Sequence, residues 1–312
     1  MMSNRSKSTK KRSVGEEPLL QKLILSAFAV LGIGFILVNV PITILLGYSV
    51  AQLELSSQQI VAELSGRILF ILASVALIVM GLLFVIGAVQ YYERRISKGV
   101  VFLGTLVASF YLLCLGVGST LLVQETNLDA LLMLSGSILI VASVAIYMMP
   151  SFPLKIGGAA LGVLGGVFLA RVIYNTSILD LAFKWNMPFA GPFMSMVVLE
   201  GIVIVLCPIT ALVHLFSANH SDGKQLTHVF LSLVALIYGM GLFVGSLFLS
   251  LSFWADGIWK YPYMVGPFSG MPNWVLSTVV FWSASLLLIA IGGILLVISS
   301  FVGFISVAQE FS

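Results

Sequence analysis

Charged residues are scarce in this chain. Of its 312 residues, 9% are Asp, Glu, Lys or Arg and 60% are apolar, and the mean hydropathy is +1.13. A soluble domain carries about 25% charged residues, so this composition excludes a water-soluble globular protein. Because a helix needs about 20 apolar residues to cross a bilayer, the apolar residues suffice for about nine spans.

Cysteine and histidine are also rare, and the common enzyme motifs are missing. The two cysteines, Cys114 and Cys207, lie within apolar runs, which excludes the disulfide framework of a small secreted protein. His214 and His228 are fourteen residues apart, a spacing known from haem-binding helices, but the polar segment between them predicts a loop. The chain has no G-x-x-x-x-G-K-[ST] motif, no H-E-x-x-H motif and no acidic cluster for Mg²⁺. We therefore expect no catalytic residues, no metal site and no cofactor.

Eight apolar runs are long enough to cross a membrane as helices. A β-barrel would need alternating segments of about 10 residues, which the chain lacks, and lipid offers no partner for an unpaired backbone group. The sequence therefore predicts an all-α polytopic membrane bundle of about eight transmembrane helices. The runs span approximately residues 23–46, 68–89, 100–123, 130–149, 156–173, 193–215, 226–251 and 276–305.

Lysine and arginine are unevenly divided between the two sides of the predicted bundle. Four lie on one side, namely Arg67, Arg171, Lys184 and Lys260. Eleven lie on the other, namely Arg5, Lys7, Lys10, Lys11, Arg12, Lys22, Arg94, Arg95, Lys98, Lys155 and Lys224. Because loops on the cytoplasmic side carry an excess of basic residues, we expect both termini to be cytoplasmic and the protein to lie in the cell membrane.

The chain divides into a basic tail and two pairs of helical hairpins. The tail, residues 1–22, holds six of the fifteen Lys and Arg residues and is interpreted as a cytoplasmic topology signal, or alternatively as an anchor on acidic lipid or an acidic partner. Residues 23–150 form hairpins 1 and 2, and residues 151–312 form hairpins 3 and 4.

Internal similarity supports this division. The outer loops of hairpins 3 and 4 share the pattern D-x-x-aromatic-K-aromatic followed by G-P-F, at residues 180–193 and 256–268. The string L-S-G-x-I-L recurs at residues 64–69 and 134–139. These repetitions favour a two-span hairpin that is repeated four times and always inserted in the same direction.

Aromatic side chains are concentrated in the outer loops, residues 174–192 and 252–275. We interpret them as a docking surface or a lid, and the alternative is an aromatic belt that fixes the depth of the protein in the membrane. The candidate outer docking surface consists of Phe183, Trp185, Trp254, Trp259, Tyr261, Tyr263 and Trp274.

One acidic residue, Glu200, lies well inside a predicted span. A charge there costs at least about 2.5 kcal/mol on insertion scales, so it needs a partner, a proton or water. Arg171, near the outer end of the preceding span, is the predicted partner. Helical side chains lean toward the N-terminus of their own helix, so on these two antiparallel helices Arg171 leans inward and Glu200 leans outward. The pair is interpreted as a lock between two helices, and alternatively as a proton or cation site.

Glycines recur at four-residue spacing on two spans. Gly158, Gly162 and Gly166 share one face of the fifth span, and Gly241 and Gly245 share one face of the seventh. Small residues at this spacing let helices in lipid approach closely. We expect these faces to pack within the chain, and alternatively against a partner subunit.

The absence of common enzyme motifs, the glycine faces and the aromatic loops together favour a non-catalytic subunit of a multi-protein membrane complex. Its expected partners are membrane lipid and other membrane subunits, not nucleic acid, and the sequence names no small-molecule substrate. The alternative is a transporter or channel for a small, weakly polar solute with a site near Glu200 and Arg171. Enzyme activity is the least favoured class.

Overall fold

The computed structural model describes residues 16–51, 59–93, 98–123, 128–175, 190–217, 223–255 and 273–311. Within these ranges the chain is helical and contains no strand, which confirms the predicted all-α class. The eight helices of the described residues are α1 (Glu16–Ala51), α2 (Gln59–Tyr92), α3 (Lys98–Val123), α4 (Leu128–Tyr147), α5 (Phe152–Asn175), α6 (Ala190–Ser217), α7 (Gly223–Ala255) and α8 (Asn273–Phe311).

Several helices are suited to a membrane. Five of them are long and apolar enough to cross a bilayer, as expected of an integral multi-pass membrane protein. Their apolar segments are Leu19–Tyr48, Leu64–Tyr92, Phe152–Val172, Gln225–Leu251 and Val280–Ala308. The other three helices contain shorter apolar segments among the described residues, at Phe102–Gly118, Leu131–Tyr147 and Gly201–Ser217.

Prolines mark where several helices begin. Pro18, Pro153 and Pro192 each lie in the first turn of a helix, where the missing N–H has no intrahelical partner to lose. α1 begins at Glu16, seven residues before the apolar run predicted from Leu23, so the end of the basic tail is already helical.

The helices are arranged in a closed cycle. Each helix contacts the helix before it and the helix after it in the chain, and α8 returns to contact α1. Across the described residues, no helix contacts one on the opposite side of the cycle. The two hairpin pairs predicted from the sequence are therefore joined twice, through α4 and α5 and through α1 and α8.

The hydrophobic core lies where the first and last helices meet. Leu31 of α1 is fully buried, and α8 is the most enclosed of the five long apolar helices. The buried members of this core come from α1, α7 and α8 and are Ala27, Leu31, Val38, Leu242, Leu286, Ile289 and Leu296.

Two of the long helices, α2 and α8, turn a stripe of large apolar side chains outward. On α2 the exposed positions follow one another at spacings of three and four residues, which keeps them on one face of a helix. The opposite side of α2 carries small buried residues, among them Ala73, Ser74 and Ala76. An apolar outward stripe is suited to lipid or to another apolar helix. On α2 the stripe consists of Ile68, Leu72, Val75, Val79, Leu82, Ile86 and Val89.

Glycines bring neighbouring helices into backbone contact. A Cβ atom on Gly32 of α1 would lie 2.6 Å from the carbonyl oxygen of Gly81 on α2, and the reverse substitution would be equally close. Gly239 of α7 and Gly293 of α8 face each other in the same way, at 2.7 Å. Because lipid tails are as apolar as leucine, such close van der Waals packing is a main source of association between helices in a membrane.

Serine hydroxyls link several of the interfaces. Ser74 of α2 donates a hydrogen bond to the carbonyl oxygen of Asn39 on α1 at 3.0 Å. Ser137 of α4 donates to Leu112 of α3 at 3.1 Å, and Ser250 of α7 donates to the carbonyl of a residue on α8 at 2.9 Å. Hydrogen bonds between membrane helices contribute about 0.6 kcal/mol each on average, so these bonds define register more than they add stability.

Candidate functional site

A cleft of about 490 Å³ opens between α4, α6 and α7. It lies at the end of the bundle where α4 and α6 end and α7 begins. Its size is that of a typical small-molecule site. The cleft is lined by Tyr147, Cys207, Thr210, Ala211, His214, Thr227, His228, Leu231 and Val234.

The register of α6 against α7 places these side chains together. Ser217, in the last turn of α6, and Thr227, in the second turn of α7, are both buried, and their hydroxyl oxygens are 3.2 Å apart. The contact places the two helix ends side by side. Cys207 and His214 are seven residues apart and therefore lie on one side of α6, where both are exposed.

The polar and apolar residues that line the cleft are separated along the helix axes. Tyr147, His214 and His228 lie nearest the helix ends, while Leu231 and Val234 lie further along α7. Val234 is six residues beyond His228, which is about 9 Å along the helix axis. The cleft therefore has groups able to form hydrogen bonds toward the helix ends and apolar side chains further along α7.

The sequence did not predict this cleft. The sequence places a predicted loop between His214 and His228, which excludes haem binding by both residues from a single helix. The structure places them on two antiparallel helices that line the same cleft. Their position at the facing ends of two predicted spans is the signal that would have placed them close together, but nothing local indicates that α4 contributes Tyr147.

Arg171 and Glu200 lie at the same level of two neighbouring helices. A Cβ atom on Gly162 would contact Pro208, and one on Gly166 would contact the backbone of Ile204, so four residues along α5 correspond to four residues back along α6. The same register brings Arg171 level with Glu200. Arg171 is exposed. The side chain of Glu200 lies outside the described part of the structure, so the ion pair stays a prediction.

The glycines singled out on α5 lie against two helices of the same chain. Gly158 faces the backbone of Tyr147 on α4, Gly162 lies between Ser143 of α4 and α6, and Gly166 faces α6. On α7, Gly241 and Gly245 are both buried. The contact between Gly239 and Gly293 on α7 and α8 was not predicted, because an isolated glycine lacks the four-residue repeat that drew attention to the others.

Of the predicted outer docking surface, the structure describes the side chain of Trp274 alone. This residue begins α8, is 44% exposed, and packs edge-on against Tyr48 of α1, with ring centroids 5.1 Å apart at an interplanar angle of 89°. The contact joins the first and last helices at the predicted outer end. The remaining members, Phe183, Trp185, Trp254, Trp259, Tyr261 and Tyr263, have side chains outside the described residues.

A buried polar cluster surrounds the proline of α1. Asn39 is buried inside α1, and its side-chain amide donates to the carbonyl oxygen of Phe35 at 2.8 Å. The Thr43 hydroxyl donates to the carbonyl of Asn39 at 2.8 Å and lies 2.7 Å from the Ser74 hydroxyl. Pro41 leaves the carbonyl of Leu37, four residues before it, without its helical donor, and the hydrogen bonds of the cluster go instead to Phe35 and Asn39. We interpret the cluster as structural.

The described side chains include no group of three or more His, Cys, Asp and Glu residues that could hold a metal ion. The cleft itself brings hydroxyl and imidazole groups together with apolar side chains. Comparison of the chain with protein-family models, with curated proteins and with solved structures finds no match.

Proposed function

We propose that this chain is an eight-span protein of the cell membrane, with both termini cytoplasmic, and that it serves as a non-catalytic subunit of a membrane complex. Packing of its helices and docking through the outer aromatic loops would hold neighbouring subunits. The four-hairpin repeat and the aromatic belt belong to the same proposal.

The apolar outward stripes carry this proposal. The glycines described on α5 are occupied by helices of the same chain, so a partner would meet large side chains rather than a glycine face. The stripe of α8 runs over most of a helix of 39 residues, from Trp274 to Ile305. Stripes at spacings of three and four residues suit side-by-side packing with a further helix as well as contact with lipid.

Photocrosslinking from exposed phenylalanines tests the proposal in native membranes. Benzoylphenylalanine differs little in shape from the residue it replaces, and exposed positions tolerate the added ring. We expect a subset of positions on one side of the cycle to crosslink to the same discrete polypeptide, with the others giving lipid adducts. The positions are Phe102, Phe110, Phe152, Phe216, Phe281 and Phe301.

Particle size and copurification in detergent distinguish a stable partner from a protein that meets the chain by random collision in the membrane. The chain extracted in a mild detergent is expected to migrate as a particle larger than its 33.6 kDa, and the crosslinked polypeptide should copurify with it. Lipid adducts at all six positions, together with a monodisperse single chain, would show that the subunit proposal is wrong.

Transport of a small, weakly polar solute is the second candidate, favoured by the shared level of Arg171 and Glu200. Glu200 also precedes Cys207 by seven residues and His214 by fourteen, so the three positions follow one side of α6. That side leads from the predicted pair toward the cleft. A solute path along this side of α6 would require the charge of Glu200 to be neutralised or hydrated, as is common for acidic residues within a membrane.

A charge-exchange series tests this second candidate. We expect Arg171→Glu to reduce the amount of folded protein, because two acids would then lie at the same level, and we expect the combined Arg171→Glu and Glu200→Arg variant to restore it. Size-exclusion profiles in detergent measure both effects. If the double variant is no better than the single one, the two residues do not interact. Unchanged flux of each assayed solute in Glu200→Gln proteoliposomes would exclude a transport role for the acid.

A further inference from the structure

The cleft between α4, α6 and α7 is lined mostly by apolar surface and has hydroxyl and imidazole side chains toward the helix ends. We propose that it binds a molecule with an anionic head group and an aliphatic chain, drawn from the membrane or from a free fatty carboxylate. The head group would lie among Tyr147, His214 and His228, and the chain would extend along Leu231 and Val234. This assignment is independent of the proposed subunit role.

The part of the cleft nearest the helix ends contains hydrogen-bond donors. The phenol of Tyr147 carries an O–H group, and an imidazole carries at least one N–H group in each of its protonation states. None of the residues that line the cleft is acidic. An anion accepts such hydrogen bonds more strongly than a neutral group does, so this set of donors favours a carboxylate or phosphate.

Basic residues lie at the same end of the bundle. Lys155 is in the first turn of α5, whose start follows the end of α4 at Tyr147, and Lys224 is the second residue of α7. Basic residues near a membrane surface attract anions. The same end was predicted to face the cytoplasm from the count of basic residues.

The lower wall of the cleft is suited to a hydrocarbon chain. Leu231 lines the cleft and is 51% exposed, although it belongs to the apolar segment Gln225–Leu251. Cys207, Ala211 and Val234 complete this wall. A head group held at His228 would place about six methylene groups against a wall roughly 9 Å deep, given the rise of an α-helix. An entirely polar ligand would leave this wall against water, and an entirely apolar one would leave the donors unused.

The position of α4 explains why the cleft is open. α4 contacts α3 and α5 but neither α6 nor α7, so its last residue reaches the cleft from across a gap. Gly158, whose added Cβ would meet the backbone of Tyr147 at 2.6 Å, holds the end of α4 against α5. The space beside α6 and α7 therefore remains available to a ligand.

Photolabelling of the full chain in phosphatidylcholine vesicles tests the assignment. The probe is a fatty acid with a diazirine in the middle of its chain and an alkyne tag, with its methyl ester as the uncharged control. We expect saturable labelling of peptides containing Cys207 to Ala211 and Leu231 to Val234, at least tenfold stronger for the acid than for the ester. Equal labelling by acid and ester would overturn the proposal.

Two pairs of variants separate the site from general contact with lipid. Leu231→Trp fills the cleft and should abolish the saturable labelling, whereas Leu226→Trp, exposed on the same helix but outside the cleft, should leave it unchanged. The double variant His214→Phe and His228→Phe, which removes the imidazole N–H donors, should weaken labelling about tenfold while the protein keeps its elution volume. Labelling that is the same in Leu231→Trp and in the original chain would overturn the proposal without any effect on the subunit interpretation.

Competition identifies the source of the ligand. Displacement by palmitate alone assigns the site to a free fatty carboxylate, and displacement by phosphatidylglycerol assigns it to an acidic membrane lipid. Both outcomes support an anionic amphiphile. If neither competitor displaces the probe, the labelling is unspecific and the proposal fails.

Discussion

Gly81→Ala is expected to destabilise the protein, whereas Gly87→Ala on the same helix is expected to leave it unchanged or more stable. A Cβ atom at position 81 would lie 2.6 Å from the carbonyl oxygen of Gly32 and 3.1 Å from the backbone nitrogen of Ile36. These are backbone atoms of α1, so the whole helix would have to move. A Cβ atom at position 87 has nothing within 4 Å.

The two substitutions share the gain in helix propensity, which is about 1 kcal/mol for Gly to Ala in a helix interior. Overpacking at position 81 opposes it by about 1–3 kcal/mol, so the difference between the variants reports the contact between α1 and α2. Apparent melting temperatures in detergent measure this difference. Gly158→Ala and Gly157→Ala make the same comparison on α5, because position 158 meets backbone at 2.6 Å and position 157 meets nothing within 4 Å. Equal melting temperatures within each pair would contradict the close approach.

A disulfide is expected to form between the first and the last helix when Leu31 and Gly292 are both replaced by cysteine. A Cβ atom on Gly292 would lie 2.5 Å from Cγ of Leu31. Since a carbon–carbon bond is about 1.5 Å, the two Cβ atoms would be no more than about 4 Å apart. A disulfide requires about 3.5–4.5 Å. Replacing Leu31 also removes the side chain that would otherwise clash.

The crosslink is measured in membranes after mild oxidation, in a background with Cys114 and Cys207 replaced by alanine. Denatured chains are then treated with a maleimide polymer, which adds to free thiols, so a crosslinked chain gains none and an open chain gains two. The control pair, Leu31→Cys with Gly104→Cys, should gain two, because a Cβ at Gly104 has nothing within 4 Å. Two additions in the test pair would show that the cycle of helices is open, and a disulfide-linked dimer would show that α8 packs on a second copy.

Hydrophobicity by itself predicted the helices and their order. The long apolar runs admit one solution in lipid, since each backbone polar group must find its partner within its own helix. The predicted span from Leu23 therefore appears within α1, and the span to Ile305 within α8. The limits differ by several residues, because helices continue past the apolar run for as long as a residue such as Glu16 is compatible with the first turn.

Local patterns predicted part of the packing. Repetition at four residues drew attention to the face of α5 that meets α4 and α6, because small residues at that spacing share a side of a helix. It could not indicate Gly32 and Gly81, because neither has a second glycine four residues away on its helix. Their contact depends on the relative height of α1 and α2, which Ser74 and Asn39 help to define through a bond between helices.

The sequence by itself determined that this is an all-helical, multi-pass membrane protein with little internal charge, because composition and run length decide what lipid can accommodate. The tertiary structure alone decided that α8 closes on α1 and that His214, His228 and Tyr147 share one cleft. The physical reason is that the hydrophobic effect does not distinguish an apolar neighbour from lipid. Partner choice between helices therefore depends on shape and on a few hydrogen bonds, which are properties of two surfaces brought together and not of one segment read alone.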